Sequence, residues 1–248
     1  MADKSLIEWT DATWNPWHGC IKVSPGCKNC YMYRSKHRYG KDPRSVVRSR
    51  TTFTDPMRWA KPRLIFACSW SDWFIRDADP WRDEAWAVIR ATPQHTYQIL
   101  TKRPERIIKC LPEDWGLGWA NVWLGVSIET QEYVFRKDIL RAVPATIRFI
   151  SAEPLLAPID FGQLAGIQWV ITGGESGPKA RPMQSEWARS IRRQCAASKI
   201  AYFHKQNGGL RMIDGAWGGR VLDGATWDGM PALGPHDIIG ASPNRGDA

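Results

Sequence analysis

Three cysteines crowd into the segment HGCIKVSPGCKNCYMYR, at Cys20, Cys27 and Cys30, with the spacing C-x6-C-x2-C on a loop turned by proline and glycine. A soft thiolate takes one iron, so three of them on one loop can wrap a cubane 4Fe–4S cluster and leave the fourth iron without a protein ligand. An open iron is what a catalytic cluster needs to bind a small molecule. Zinc is the rival, because the C-x2-C knuckle with Cys20 and either His18 or His37 makes a Cys3His set. Three reduced thiols without a metal are the third option. Zinc knuckles usually staple small modules, whereas this loop directly follows a candidate first strand within IEWTDATW. That context favours the cluster.

The remaining chemistry-bearing residues recur just after apolar runs. Ser69 and Asp72 follow LIFAC; Thr101 and Lys102 follow TYQIL; Ser127 and Glu129 close VWLGVSIE. Ser151 and Glu153 end IRFISAE, Gly173, Gly174 and Glu175 end QWVITGGE, and His204 and Lys205 end IAYFHK. In a barrel of parallel strands these positions converge on one mouth, where active sites sit. Helix caps and turn residues account for some of them singly. The GGESG turn (173–177) could cradle a phosphate on its backbone amides, but it lacks the full dinucleotide or P-loop fingerprint.

The elements that would position these residues alternate along the chain. The apolar, β-branched runs at 64–68, 97–101, 122–128, 147–153, 168–175 and 200–206 suit strands buried on both faces. Helical patterns lie between them at 81–92 behind Pro80, at 104–111 behind Pro104, at 130–143 with Thr130 as cap, and at 185–198 with Ser185 as cap. Strand and helix in repeated alternation predict an α/β fold, a parallel βα-repeat barrel, partial or full and TIM-like; a doubly wound open sheet is the alternative. Residues 1–207 are expected to form the barrel. Residues 208–248, rich in glycine, form a C-terminal extension packed on it, with short strands near Val221 and Ile238.

Bulk properties exclude several classes. With 248 residues, 43% hydrophobic and 24% charged, the chain can bury a core and is not expected to be disordered. It has no run of eighteen apolar residues, and its start lacks the layout of a signal peptide, so a cytoplasmic protein off the membrane is expected. Outside the loop, Cys68, Cys110 and Cys195 sit among apolar neighbours and read as reduced core thiols. Most of the fifteen tryptophans should pack walls and core, with a few able to stack on a base. Net charge is +9, and between Arg34 and Arg63 ten Lys or Arg meet only Asp42 and Asp55. This basic stretch, interleaved with Tyr39, Phe53 and Trp59, could track the phosphates of DNA, RNA or a nucleotide; a solvated basic loop is the alternative.

The strings GCIKVSPGCKNCY, FACSWSDWF, QILTKRPERI, WLGVSIET, FISAEPLLAPID and WVITGGESGPKARP, spread over residues 7–207, resemble a family often found in phages and prophages and marked by its three-cysteine motif. That family in turn resembles the radical SAM superfamily. The resemblance implies a 4Fe–4S cluster on Cys20, Cys27 and Cys30 with S-adenosylmethionine (SAM) on its open iron. One electron would cleave the sulfonium to a 5′-deoxyadenosyl radical that takes a hydrogen from substrate. It also implies an electron donor, with room for a companion protein. By position, Ser69 and Asp72 correspond to the methionine-amino site and Ser127 and Glu129 to ribose contacts. Gly173 and Gly174 would belong to the SAM cleft. Thr101 and Lys102 could serve either ligand, and Glu153, Glu175 and Lys205 are the substrate candidates. The superfamily's usual spacing is C-x3-C-x2-C with an aromatic before the last cysteine. Here the first interval is six residues, Asn29 precedes Cys30, and Tyr31 follows it.

Two other functions fit parts of the sequence. One is a zinc-stapled nucleic-acid-binding protein. The other is a barrel hydrolase using Glu129, Glu153 and Glu175 as acid and base.

Overall fold

The computed structural model describes residues 4–232. Seven strands form one parallel sheet: β1 Ala12–Trp14, β2 Leu64–Ala67, β3 Thr96–Thr101, β4 Val122–Ser127, β5 Ile147–Ala152, β6 Trp169–Gly173 and β7 Ala201–Gln206. Each is hydrogen-bonded to the strand before and after it in the chain. This sequential order separates the sheet from a doubly wound one, whose strand order reverses midway. Crossovers of one hand place the helices on one face, and the twisted sheet curls away from them. The product is a half-barrel of parallel βα repeats, with β1 and β7 at its two ends.

Alternation along the strands sorts side chains between two cores. Ile65 and Ala67, Tyr97 and Ile99, and Val122, Leu124 and Val126 face outward into the main core beneath the helices. Their alternates Leu64, Phe66 and Leu100, with Trp123, Phe149, Trp169, Ile171 and Phe203, fill the concave side. The concave filling is uneven, and Gly125 shows why. A Cβ at Gly125 would run into the ring of Phe149, its register partner on β5. The missing side chain lets that ring cross the barrel and close its floor.

The helices depart from expectation in instructive ways. The helix α2, Asp79–Arg90, carries Pro80 in its first turn as expected and buries Ala85, Trp86, Val88 and Ile89. The helix expected at 104–111 is instead two 3-10 turns, Pro104–Arg106 and Ile108–Cys110. Arg103 before them is not helical, and Leu111 after them is extended, so no regular helix forms. At 130–143 a 3-10 turn precedes a short α3, Phe135–Arg141, and the Thr130 hydroxyl caps nothing. In α4, Ser185–Ala197, the cap position falls on Gln184 and Ser185 is already helical. A helix absent from the expectations, α1, runs Tyr31–Arg38 directly after the last loop cysteine.

The extension beyond residue 207 packs on the barrel. It forms a small hairpin, Met212–Ile213 with Ala216–Trp217, and a turn closed by Leu222 and Ala225, in place of a strand at Val221. It then lies antiparallel against the free edge of β7, where His204 N donates to Trp227 O at 2.8 Å and Gly229 N to Tyr202 O at 3.0 Å. The strand expected near Ile238 lies outside the described residues. Among the described residues no helix is long and apolar enough to cross a membrane.

Candidate functional site

The long β1–β2 connection carries the cysteines across the carboxyl ends of the strands. Trp17–His18 pairs antiparallel with Val47–Arg48, pinning both ends of the excursion. Gly19 is required at its start: its φ is +103°, and a Cβ there would strike the Ser45 carbonyl. A 3-10 turn, Pro25–Cys27, then delivers Cys27, and Cys30 stands at the amino end of α1.

Four latches tie this loop to the strand ends. Ser24 donates to the buried Glu129, whose carboxylate also accepts from Arg136 at 2.8 Å and lies 3.7 Å from the Lys102 ammonium. Gly26 lies so close to Glu129 that a Cβ would collide with its carboxylate. Asn29 donates to Glu175 at 2.9 Å, and Arg181 grips the same carboxylate through its backbone N–H and its guanidinium. Tyr31 donates to Ser69 O. Arg103 reaches Ile21 O at 2.7 Å and the Cys20 sulfur at 3.8 Å.

Beneath the loop lies a cavity of about 780 Å³. Of the residues marked out by sequence, Cys27, Cys30, Tyr31, Ser69, Asp72, Thr101, Lys102, Ser127, Glu153, Gly174, Glu175 and Lys205 all line it. Cys20, Glu129, Gly173 and His204 do not, and His204 is buried against Thr172 and Asn207. Cys20 packs toward the main core, Glu129 sits behind the loop, and Gly173 packs against the side chain of Glu153.

Lining the cavity is not the same as being available to a ligand. Asp72 accepts from Phe74 N, Thr101 Oγ1, Lys102 N and Arg103, all within 3.0 Å, and so anchors the ends of β2 and β3 to each other. Burial would raise the carboxyl of Glu175, but the hydrogen bonds and charge of Arg181, with help from Asn29, hold it below its ordinary value. Glu153 and Lys205 pair with each other at 2.5 Å, and both line the cavity. The GGESG turn offers a carbonyl, that of Ser176, to Arg34 at 3.3 Å. The same Arg34 donates to Asn29 O, so the turn is tied to the cysteine loop.

Sequence reasoning passed over several residues. Arg103 stands one residue beyond the Thr101–Lys102 pair that was marked, and the string TKRP is the signal that could have found it. Cys68, read as a core thiol, is buried but also lines the cavity, and its φ of +60° is rare for a residue with a side chain. The basic stretch, meanwhile, spreads its charge. Arg34 and Lys36 donate to backbone carbonyls, while Arg44 and Arg48 pair with Asp42 and Glu84.

The donor set suits a thiophilic group. All three loop cysteines are half-buried and none is in a disulfide. Tyr33 feels all three: burial raises its phenol, and the neighbouring sulfurs of Cys20, Cys30 and Cys27 raise it further. Burial pushes the Cys20 thiol up to about 12, with Asp72 adding to the rise and Arg103 opposing it. Among the described residues no three His, Cys, Asp or Glu side chains are already gathered as a metal-binding set.

No curated protein and no solved structure matches this chain significantly. Residues 4–231 do match one protein family, DUF5131, described only as a protein of unknown function, and the chain belongs to that family.

Proposed function

We propose that this protein is a radical SAM-type enzyme that holds a 4Fe–4S cluster on Cys20, Cys27 and Cys30. The observation that carries the proposal is the position of the cysteine loop. It spans the carboxyl ends of a parallel half-barrel, and Cys27 and Cys30 face the same cavity as the Glu153–Lys205 pair. When bound, such a cluster supplies one electron and an open iron for SAM. The chain's own residues then have separable tasks. Asp72 and Arg103 fix the ends of β2 and β3 beside Cys20. Ser127 offers a polar contact to a ligand lying between the loop and the sheet, beside Tyr31 and Ser69, which are bonded to each other. Glu153 and Lys205, which line the same cavity, hold the substrate and carry the charged groups able to orient it. The apolar floor of Trp9, Phe66 and Leu100 keeps water from the reacting centre. A nucleic-acid base or nucleotide as substrate rests on the exposed Arg38, Lys41, Arg50 and Lys61 of the basic stretch.

Anaerobic reconstitution tests the proposal. About four irons and four sulfides per chain are expected, with a broad brown absorbance. Cys20→Ala, Cys27→Ala or Cys30→Ala should each abolish it and Cys110→Ala should not. The reduced, loaded protein should release 5′-deoxyadenosine and methionine from SAM. Stoichiometric zinc with no iron would overturn the assignment in favour of a structural knuckle.

A further inference from the structure

Arg103, one residue beyond Lys102, is a buried cation placed against the cysteine loop. It is 8% exposed and extends from the end of β3 back under the cysteine loop. One guanidinium nitrogen donates to Asp72 at 3.0 Å and lies 3.8 Å from the Cys20 sulfur, within hydrogen-bonding reach for sulfur. The other donates at 2.7 Å to the carbonyl of Ile21, the residue after Cys20. Arg103 itself is fixed from behind, because Asp72 is held by Thr101, Lys102 and Phe74. Cys20 is thus set apart from Cys27 and Cys30. It is the loop cysteine with a buried guanidinium on its sulfur.

Resting on the cluster assignment above, we propose that Arg103 is a positioning residue that sets the reduction potential of the cluster through Cys20. The physical reason is simple. Reduction adds negative charge, part of which resides on the ligand sulfurs, and an N–H···S bond from a cation in a poorly solvated site favours the more negative state. Arg103 therefore raises the potential. Removing it takes away the donor and also leaves the Asp72 carboxylate uncompensated near the same sulfur, so both changes lower the potential. A lysine retains charge but cannot reach Asp72, the sulfur and the Ile21 carbonyl together with one planar fork.

The test is a redox titration of the reconstituted protein, followed by the electron paramagnetic resonance of the reduced cluster. It compares the native chain with Arg103→Lys and Arg103→Gln, with iron content and circular dichroism measured on each sample. At the native midpoint, Arg103→Gln is expected to be at least tenfold more oxidised, equivalent to about 59 mV for a one-electron couple. Arg103→Lys should fall between the two. Unchanged potentials in variants that keep their cluster overturn the proposal. So does loss of the cluster from both variants with the fold intact, since Arg103 would then merely hold the loop. If the native chain takes up no iron, the cluster assignment itself fails, a result distinguishable from either of these.

Discussion

Glu175 accepts three hydrogen bonds from Arg181 and one from Asn29, so its carboxylate joins the Gly-rich turn to the cysteine loop. Replacing it should be felt at the loop before it is felt by any substrate. Glu175→Ala leaves a half-buried guanidinium without its partner, a loss of roughly 1–3 kcal/mol. On the proposed cluster assignment, a chelator should then strip iron faster from the reconstituted variant than from the reconstituted native protein, while Glu175→Gln lies between. The pH dependence follows from the lowered carboxyl. The unfolded chain takes up a proton near its ordinary value of about 4.3, before the folded one does. This contribution is therefore complete above that value and lost as pH falls through the lower folded value. Urea midpoints at pH 7 and pH 3 should converge for native protein and Glu175→Ala. An undiminished difference at pH 3 would contradict the assignment.

At the level of elements, what was legible followed from how directly burial wrote itself into residue type. Strands β2 to β7 were readable because both faces are covered, one by helices and the other by the concave core, so apolar residues run on without a break. α2 was readable for its apolar stripe behind a proline. α1 was not, because its inward positions are Met32 and Lys36, four apart, and the lysine is buried with its ammonium on Ser45 O. A charged residue doing a core residue's work erases the periodic signal. The mouth residues were legible as a set, since position after a strand fixes where they meet. Which of them are engaged by other protein groups was not, because Arg181, Arg136 and Arg103 lie 6, 7 and 31 residues from the carboxylates they bind. Gly125 gives the elements a sharp test. Gly125→Ala drives a methyl into the Phe149 ring, which is fully buried and has no room to retreat. A loss of about 1–3 kcal/mol is expected in equilibrium unfolding, with Phe149→Leu in the same chain recovering part of it. Full stability in the single variant would mean that the floor of the half-barrel is looser than its packing indicates.

At the scale of the whole molecule, a half-barrel differs from a closed one in having ends. A closed barrel has no unpaired strand edge, whereas this sheet ends in two, and an exposed edge is a template for pairing with another chain. Residues 227–229 lie along β7 and occupy that edge with their own backbone. The glycine-rich tail, expected from sequence to pack on the barrel, thus acts as an eighth, antiparallel partner of the sheet in miniature. A chain ended at residue 207 would retain every cysteine and every cavity residue and yet present β7 to its neighbours. It should form concentration-dependent oligomers in sedimentation, and a chain ended at 232 should not. What the segment 227–229 confers on this fold is therefore insulation at one end: the backbone groups of the last strand are answered from within the same chain.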